Sequence, residues 1–166
     1  MVFAGFTANH KLPLIFGPCG AKINANVYQQ VILDVIIPQL NTKDPEYIFQ
    51  QDGAPAHTAR STVQYLTEHC HGQFLEPNIW PPSSPDLNPC DYFLWSALEQ
   101  KVYSGQQVKD VYDLKRRIVA AWDELSQSSL DKAVRQWRAR LRAVCRGRGG
   151  HVEHTCLLYT SDAADD

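Results

Sequence analysis

Hydrophobic residues fall in short β-prone runs through the first half of the chain and at helical spacing through the second. Val2-Phe3-Ala4-Gly5-Phe6-Thr7 and Leu12-Pro13-Leu14-Ile15-Phe16 predict two strands joined by the polar turn Ala8-Asn9-His10-Lys11. Asn24-Ala25-Asn26 is an N-cap cluster. Behind it Val27, Val31 and Val35, alongside Tyr28, Ile32 and Ile36, repeat at helical spacing and predict a helix to about Leu40. Asp34 falls within that helix as a surface carboxylate. Tyr47-Ile48-Phe49 predicts a strand that Gly53 and Pro55 end.

A helix follows from Thr58 to Cys70 with Val63, Leu66 and Cys70 inward, then a short strand, Phe74-Leu75-Glu76. From Asp91 to about Val102 a helix presents Tyr92, Leu94, Trp95 and Leu98. Val111, Leu114, Ile118, Trp122 and Leu125 form one face of the next. The last helix carries Leu130, Ala133, Val134, Trp137, Leu141 and Val144 on one face and basic residues on the other. Strands first and helices last, with no internal repeat, is an α/β pattern around one mixed sheet.

Composition narrows the picture. The 166 residues predict one domain, and 44% hydrophobic with 20% charged residues suits a folded core. A net charge of −2 gives no global sign of nucleic-acid binding. The charge is unevenly placed: Lys132, Arg135, Arg138, Arg140, Arg142, Arg146 and Arg148 are seven of the 16 basic residues. Such a helix is a candidate DNA-backbone surface, since Arg binds phosphate bidentately; a solvated basic face is the bland alternative. Five cysteines without paired spacing argue against a disulfide framework and for a reducing compartment. No apolar run approaches the roughly 18 residues of a membrane span, and no signal-peptide pattern opens the sequence.

Two carboxylates stand out. Asp52 sits at the tip of the third strand, before a turn; Asp91 falls in the first turn of a helix behind a stretch stiffened by Pro81, Pro82, Pro85 and Pro89. One acid at a strand tip and one at a helix start make a plausible metal clamp. Asp-Gly is also a common turn dipeptide, so Asp52 could simply be a turn-forming residue. Asp86 is the rival ligand, although Pro85-Asp86-Leu87-Asn88-Pro89 reads better as a rigid turn whose Asp86 and Asn88 side chains bond nearby amides. His57 could contact DNA phosphate or a metal's water, or could orient the loop after Asp52. His69-Cys70-His71 is too crowded for zinc and has no matching pair. Trp95, Trp122 and Trp137 read as core, whereas Trp80 lies beside the Pro-rich loop and could stack on a base.

Gln50-Gln51-Asp52-Gly53-Ala54-Pro55-Ala56-His57, followed by Ser84-Pro85-Asp86-Leu87-Asn88-Pro89-Cys90-Asp91, resembles the catalytic domain of mariner-superfamily transposases. The resemblance runs from about Val2 to Val144. It implies a ribonuclease H-like fold and cut-and-paste DNA transposition. Asp52 matches the second catalytic, metal-binding acid and Asp91 the third, with the aspartate of the mariner-type branch. Their spacing, 91 − 52 = 39 positions, is close to the family's and slightly long. The implied cofactor is Mg²⁺ or Mn²⁺, whose hard-oxygen preference suits carboxylates. Implied partners are transposon-end and target DNA, with His57, Arg135, Arg138 and Arg142 as possible contacts, and a homodimer in the intact protein. The implied location is the nucleus.

The family's first acid lies on a strand upstream of the segment resembling Val2-Thr7, so the expectation is an α/β ribonuclease H-like sheet missing its first, central strand. The hairpin would then shift onto the Ile48-Gln51 strand, leave a gap, or be completed by another chain. The sequence also predicts a partial catalytic domain over 1–146 and a disordered tail over 147–166. Residues 156–166 are similar to translated sequencing adapter. The resulting expectation is a transposase fragment inactive by itself. The alternatives are a domesticated DNA-binding remnant and a product without function.

Overall fold

A computed structural model describes residues 1–147 apart from Cys19, Ala21, Trp80, Pro82, Ser83 and Gln106. The expectations for Trp80 and for the tail beyond Gly147 lie outside the described residues. The chain divides after position 83 into two units.

In the first unit Val2–Phe3 (β1) pairs antiparallel with Ile15–Phe16 (β2), Val2 opposite Phe16 and Phe3 opposite Ile15. Nearer the turn, Phe6 bridges Lys11. Phe3 to Phe6 is three steps and Lys11 to Ile15 is four, so the returning strand holds one extra residue. Pro13 lies in that stretch and has no N–H for the ladder, which explains why the predicted strands shrink to two short ends around a bulge.

The predicted long helix is capped as expected, with Asn24 Oδ1 accepting from the Val27 N–H at 3.0 Å. It runs as Ala25–Tyr28 (α1), a π-turn at Gln29–Leu33 and Asp34–Lys43 (α2). The wider π-turn shifts the helical phase. Tyr28, Ile32, Leu33, Ile36, Ile37 and Leu40 are therefore buried, while Val35 is exposed.

Ile48–Phe49 (β3) continues through Pro55–Thr58 (α3) and Arg60–His69 (α4) to Gln73–Phe74 (β4). β3 and β4 pair in parallel, Ile48 opposite Gln73 and Phe49 opposite Phe74. Gly72 permits the approach: a Cβ there would stand 2.5 Å from the Tyr47 carbonyl oxygen. Leu12, Tyr28, the α2 isoleucines, Leu40, Tyr47, Phe49, Ala56 and Leu66 form one core.

Among the described residues, the antiparallel and parallel pairs remain two separate sheets. Both pairings of a mixed sheet are present, but the hairpin does not shift onto β3.

The second unit opens with a 3₁₀ turn, Pro85–Leu87, and a π-turn, Cys90–Leu94, that runs into Trp95–Val102 (α5). Val111–Glu124 (α6) and Gln127–Arg146 (α7) follow. Asp110 caps α6 by accepting from Asp113 N at 2.8 Å, and Ser126 caps α7 by accepting from Ser129 N at 3.2 Å. The π-turn rotates the following helix, so Leu94, Leu98 and Val102 face inward while Trp95 is 37% exposed. Trp95 is thus not the core residue that its spacing predicts; Trp122 is. Asp113 anchors α6, accepting from Arg116 Nη2 at 2.8 Å and Arg117 Nε at 3.0 Å. Arg117 reaches further, donating to the Val102 carbonyl at the end of α5 at 3.3 Å.

Candidate functional site

Asp52 stands just beyond β3, where the strand has ended and α3 has not begun. Its Oδ1 accepts from the Ala54 N–H at 3.0 Å, which makes the residue the head of an Asx turn. The same oxygen accepts from His57 Nδ1 at 2.6 Å. Oδ2 accepts no hydrogen bond among the described residues, and the side chain is 55% exposed. The turn is therefore closed through Oδ1 alone. The His57 hydrogen bond, opposed by partial burial and aided by the Ala54 N–H, holds the carboxyl below the usual range. Asp52 is thus ionised at neutral pH, as a metal ligand must be.

A second layer holds this geometry. Tyr28, at the end of α1, donates its hydroxyl to Gln51 Oε1 at 2.9 Å. Gln51 Nε2 donates to the His57 carbonyl at 3.1 Å, and the Tyr28 and His57 ring centroids lie 4.1 Å apart. Burial, and then the Asp52 charge, raise the Tyr28 pKa, so the phenol stays a donor. Fully buried Thr62 donates to the Ala56 carbonyl at 2.7 Å and accepts from Gln29 Nε2 at 3.1 Å. His57 is thereby held at its carbonyl by Gln51, at its ring by Tyr28 and at Nδ1 by Asp52.

The sequence reading missed Tyr28, Gln51 and Thr62 as supports. Tyr28 matched the apolar stripe, and nothing local distinguishes a core tyrosine from one whose hydroxyl serves a loop distant in sequence.

Asp91 lies in the second unit, exposed, in the first turn of the π-turn behind Pro89. Its N–H donates to the Asn88 carbonyl at 2.9 Å, and Asn88 Oδ1 accepts from Cys90 N at 3.0 Å. Asn88 therefore forms the local turn that its sequence predicts. Asp86 is only 5% exposed within the 3₁₀ turn, which disfavours it as a ligand.

Taken separately, Asp52 in the first unit and Asp91 in the second each offer hard carboxylate oxygens of the kind Mg²⁺ or Mn²⁺ takes, and Asp52 is ionised. Such donors are sparse in number, as no group of three His, Cys, Asp or Glu side chains comes together among the described residues. Mg²⁺ commonly takes only one or two protein carboxylates and fills its shell with water and phosphate.

On α7, Lys132, Arg135, Arg138, Arg142 and Arg146 are exposed and, at 100° per residue, share one stripe opposite Leu130 and Ala133. Arg135 is partly neutralised, its Nε donating to both Asp131 oxygens at 3.0 and 2.9 Å. Arg138 and Arg142 have no such partner among the described residues.

The fold and the sequence both have counterparts among known proteins. The fold matches the catalytic domain of the Mos1 mariner transposase with a TM-score of 0.77 at 23% identity, over 92% of this chain and 75% of that one. The sequence profile of DDE superfamily endonucleases matches residues 2–115, and the chain belongs to that family.

The Tc3 transposase of Caenorhabditis elegans is 32% identical over 160 residues, covering 93% of this chain and 45% of the relative. The chain thus spans less than half the length of the curated relatives it matches. Other Mos1 structures that align contain raltegravir with Mn (TM-score 0.77, 23% identity, 92% of this chain and 76% of that one) or the left transposon end (0.74, 24%, 90% and 44%). These residues are transposase catalytic-domain sequence.

Proposed function

We propose that this chain contributes two of the metal-holding acids and a DNA-backbone surface to a transposase that cuts transposon ends and joins the 3′-hydroxyl to target DNA in the nucleus. The observation that carries the reading is the division of labour on exposed Asp52, whose Oδ1 is held by His57 and Ala54 while Oδ2 accepts no hydrogen bond among the described residues. Relatives of known activity support it, as does a Mos1 structure with Mn.

A bound divalent cation would supply Lewis-acid stabilisation of charge developing on phosphate oxygens. Asp52 offers it an oxygen already oriented and ionised, so little ordering is left for the moment of binding. His57 keeps its Nδ1 proton on Asp52, and Gln51 and Tyr28 hold His57. Asp91 is the other acid that the family resemblance makes a metal ligand. Arg138 and Arg142 would grip DNA phosphates without reading sequence. In the intact enzyme a homodimer would hold two transposon ends.

The chain by itself is expected to bind Mg²⁺ or Mn²⁺ weakly and to cut no DNA, since no three acids converge among the described residues. The test is strand cleavage by a family-length transposase carrying these residues, with and without Asp52→Asn. Mg²⁺-dependent cutting lost in the variant is the expected result; cutting retained in Asp52→Asn refutes the assignment. Salt-sensitive DNA binding without cleavage in either protein would favour the DNA-binding remnant, the reading that the basic stripe supports.

A further inference from the structure

We infer that Arg140 is a positioning residue for Asp91, holding the turn that carries this acid against α7. The inference rests on the reading of Asp91 as a metal ligand. Arg140 lies on the inward side of α7, roughly opposite the basic stripe, and is partly buried. Its guanidinium carbon stands 3.9 Å from the centroid of the Tyr92 ring, next in sequence to Asp91. Its Nη1 donates to the Asp86 carbonyl at 3.3 Å, at the start of the same turn. Tyr92 closes the arrangement from its own side, donating its hydroxyl to the Ala133 carbonyl on α7 at 2.6 Å. The segment from Asp86 to Tyr92 is thus held at both ends, and Asp91 lies between them.

Cost argues that the arginine is there for its fork. Its Nε is buried without a hydrogen-bond partner, a feature that a residue chosen for packing alone would avoid. Methionine could fill similar space without leaving a buried Nε unpaired. What it cannot do is place a planar cation on Tyr92 while donating to the Asp86 carbonyl. Lysine keeps the charge but lacks the plane and the fork.

The experiment follows the 166-residue chain and its Arg140→Met and Arg140→Lys variants by amide hydrogen exchange and by Mn²⁺ broadening of amide signals. In Arg140→Met the Asn88, Asp91 and Tyr92 amides should exchange at least about tenfold faster, while Leu114 and Leu125 keep their rates. The Mn²⁺ concentration that half-broadens Asp91 should rise severalfold, with the response around Asp52 unchanged. Arg140→Lys should resemble the methionine variant, and it gives the same comparison should that variant not fold. Unchanged exchange across the turn, or an unchanged Mn²⁺ response at Asp91, overturns the role of Arg140. Faster exchange in the variants with no Mn²⁺ response at Asp91 in the wild type overturns Asp91 as a ligand instead.

Discussion

Removing one hydroxyl from Tyr28 tests whether the Asp52 loop is held as described. Tyr28→Phe keeps the ring beside His57, at 4.1 Å between centroids, and deletes only the donor to Gln51 Oε1 at 2.9 Å. A net hydrogen bond contributes about 0.5–1.5 kcal/mol, and a half-buried acceptor left unpaired adds to the loss. The expected cost is about 1–2 kcal/mol, because Gln51 keeps partial access to water and its other bond, to the His57 carbonyl. In a chain of this size that lowers the melting temperature by roughly 2–8 °C.

The double variant with Gln51→Met separates this network from general damage. Once Gln51 is gone the Tyr28 hydroxyl has lost that acceptor, so the two losses should fall short of additivity by about 0.5–1 kcal/mol. Thermal melts by circular dichroism supply all four corners of the cycle. Full additivity would refute the coupling, and an unchanged melting temperature in Tyr28→Phe would refute the bond's contribution.

Other consequences are as direct. Gly72→Ala should destabilise by about 1–3 kcal/mol, since its Cβ would meet the Tyr47 carbonyl oxygen at 2.5 Å and a backbone must shift; urea denaturation reads the loss. Asp113 is held down to about 2, chiefly by Arg116 and then Arg117. A depressed carboxylate stabilises above its unfolded pKa and loses that contribution as pH falls through the folded one, so stability should drop between about pH 4 and pH 2. Asp113→Asn should flatten that part of the profile. Arg138→Ala and Arg142→Ala should each reduce the salt dependence of DNA binding by about one unit of slope, whereas Arg135→Ala, already paired to Asp131, should change it less; equal effects would contradict the pairing.

What could be read from the sequence follows from how local each signal is. The cap at Asn24 and the α7 stripe depend on neighbours within a few positions, and periodicity shows such faces directly. The Asp52 turn was legible for the same reason, as Asp, Gly and Pro each bias the backbone on their own. Trp95 misled because a π-turn upstream changes the phase that a uniform 3.6-residue period assumes. The hairpin shortened where Pro13 cannot donate, and its separation from β3 is a matter of pairing that no local pattern encodes. Tyr28 and Arg140 were opaque for a related reason: both reach segments distant in sequence, and only the fold brings them there.

The central claim is that Asp52 is a metal ligand held ready by its own loop. Mn²⁺ titration of the 166-residue chain, followed by paramagnetic broadening of amide signals, tests it most directly. The account predicts weak, saturable broadening centred on Gly53 and Ala54 and also seen at Asp91. Asp52→Asn should abolish the first effect, and Asp34→Asn should leave both unchanged. Broadening near Gly53 that survives Asp52→Asn, or that never appears there in the wild type, would contradict the account.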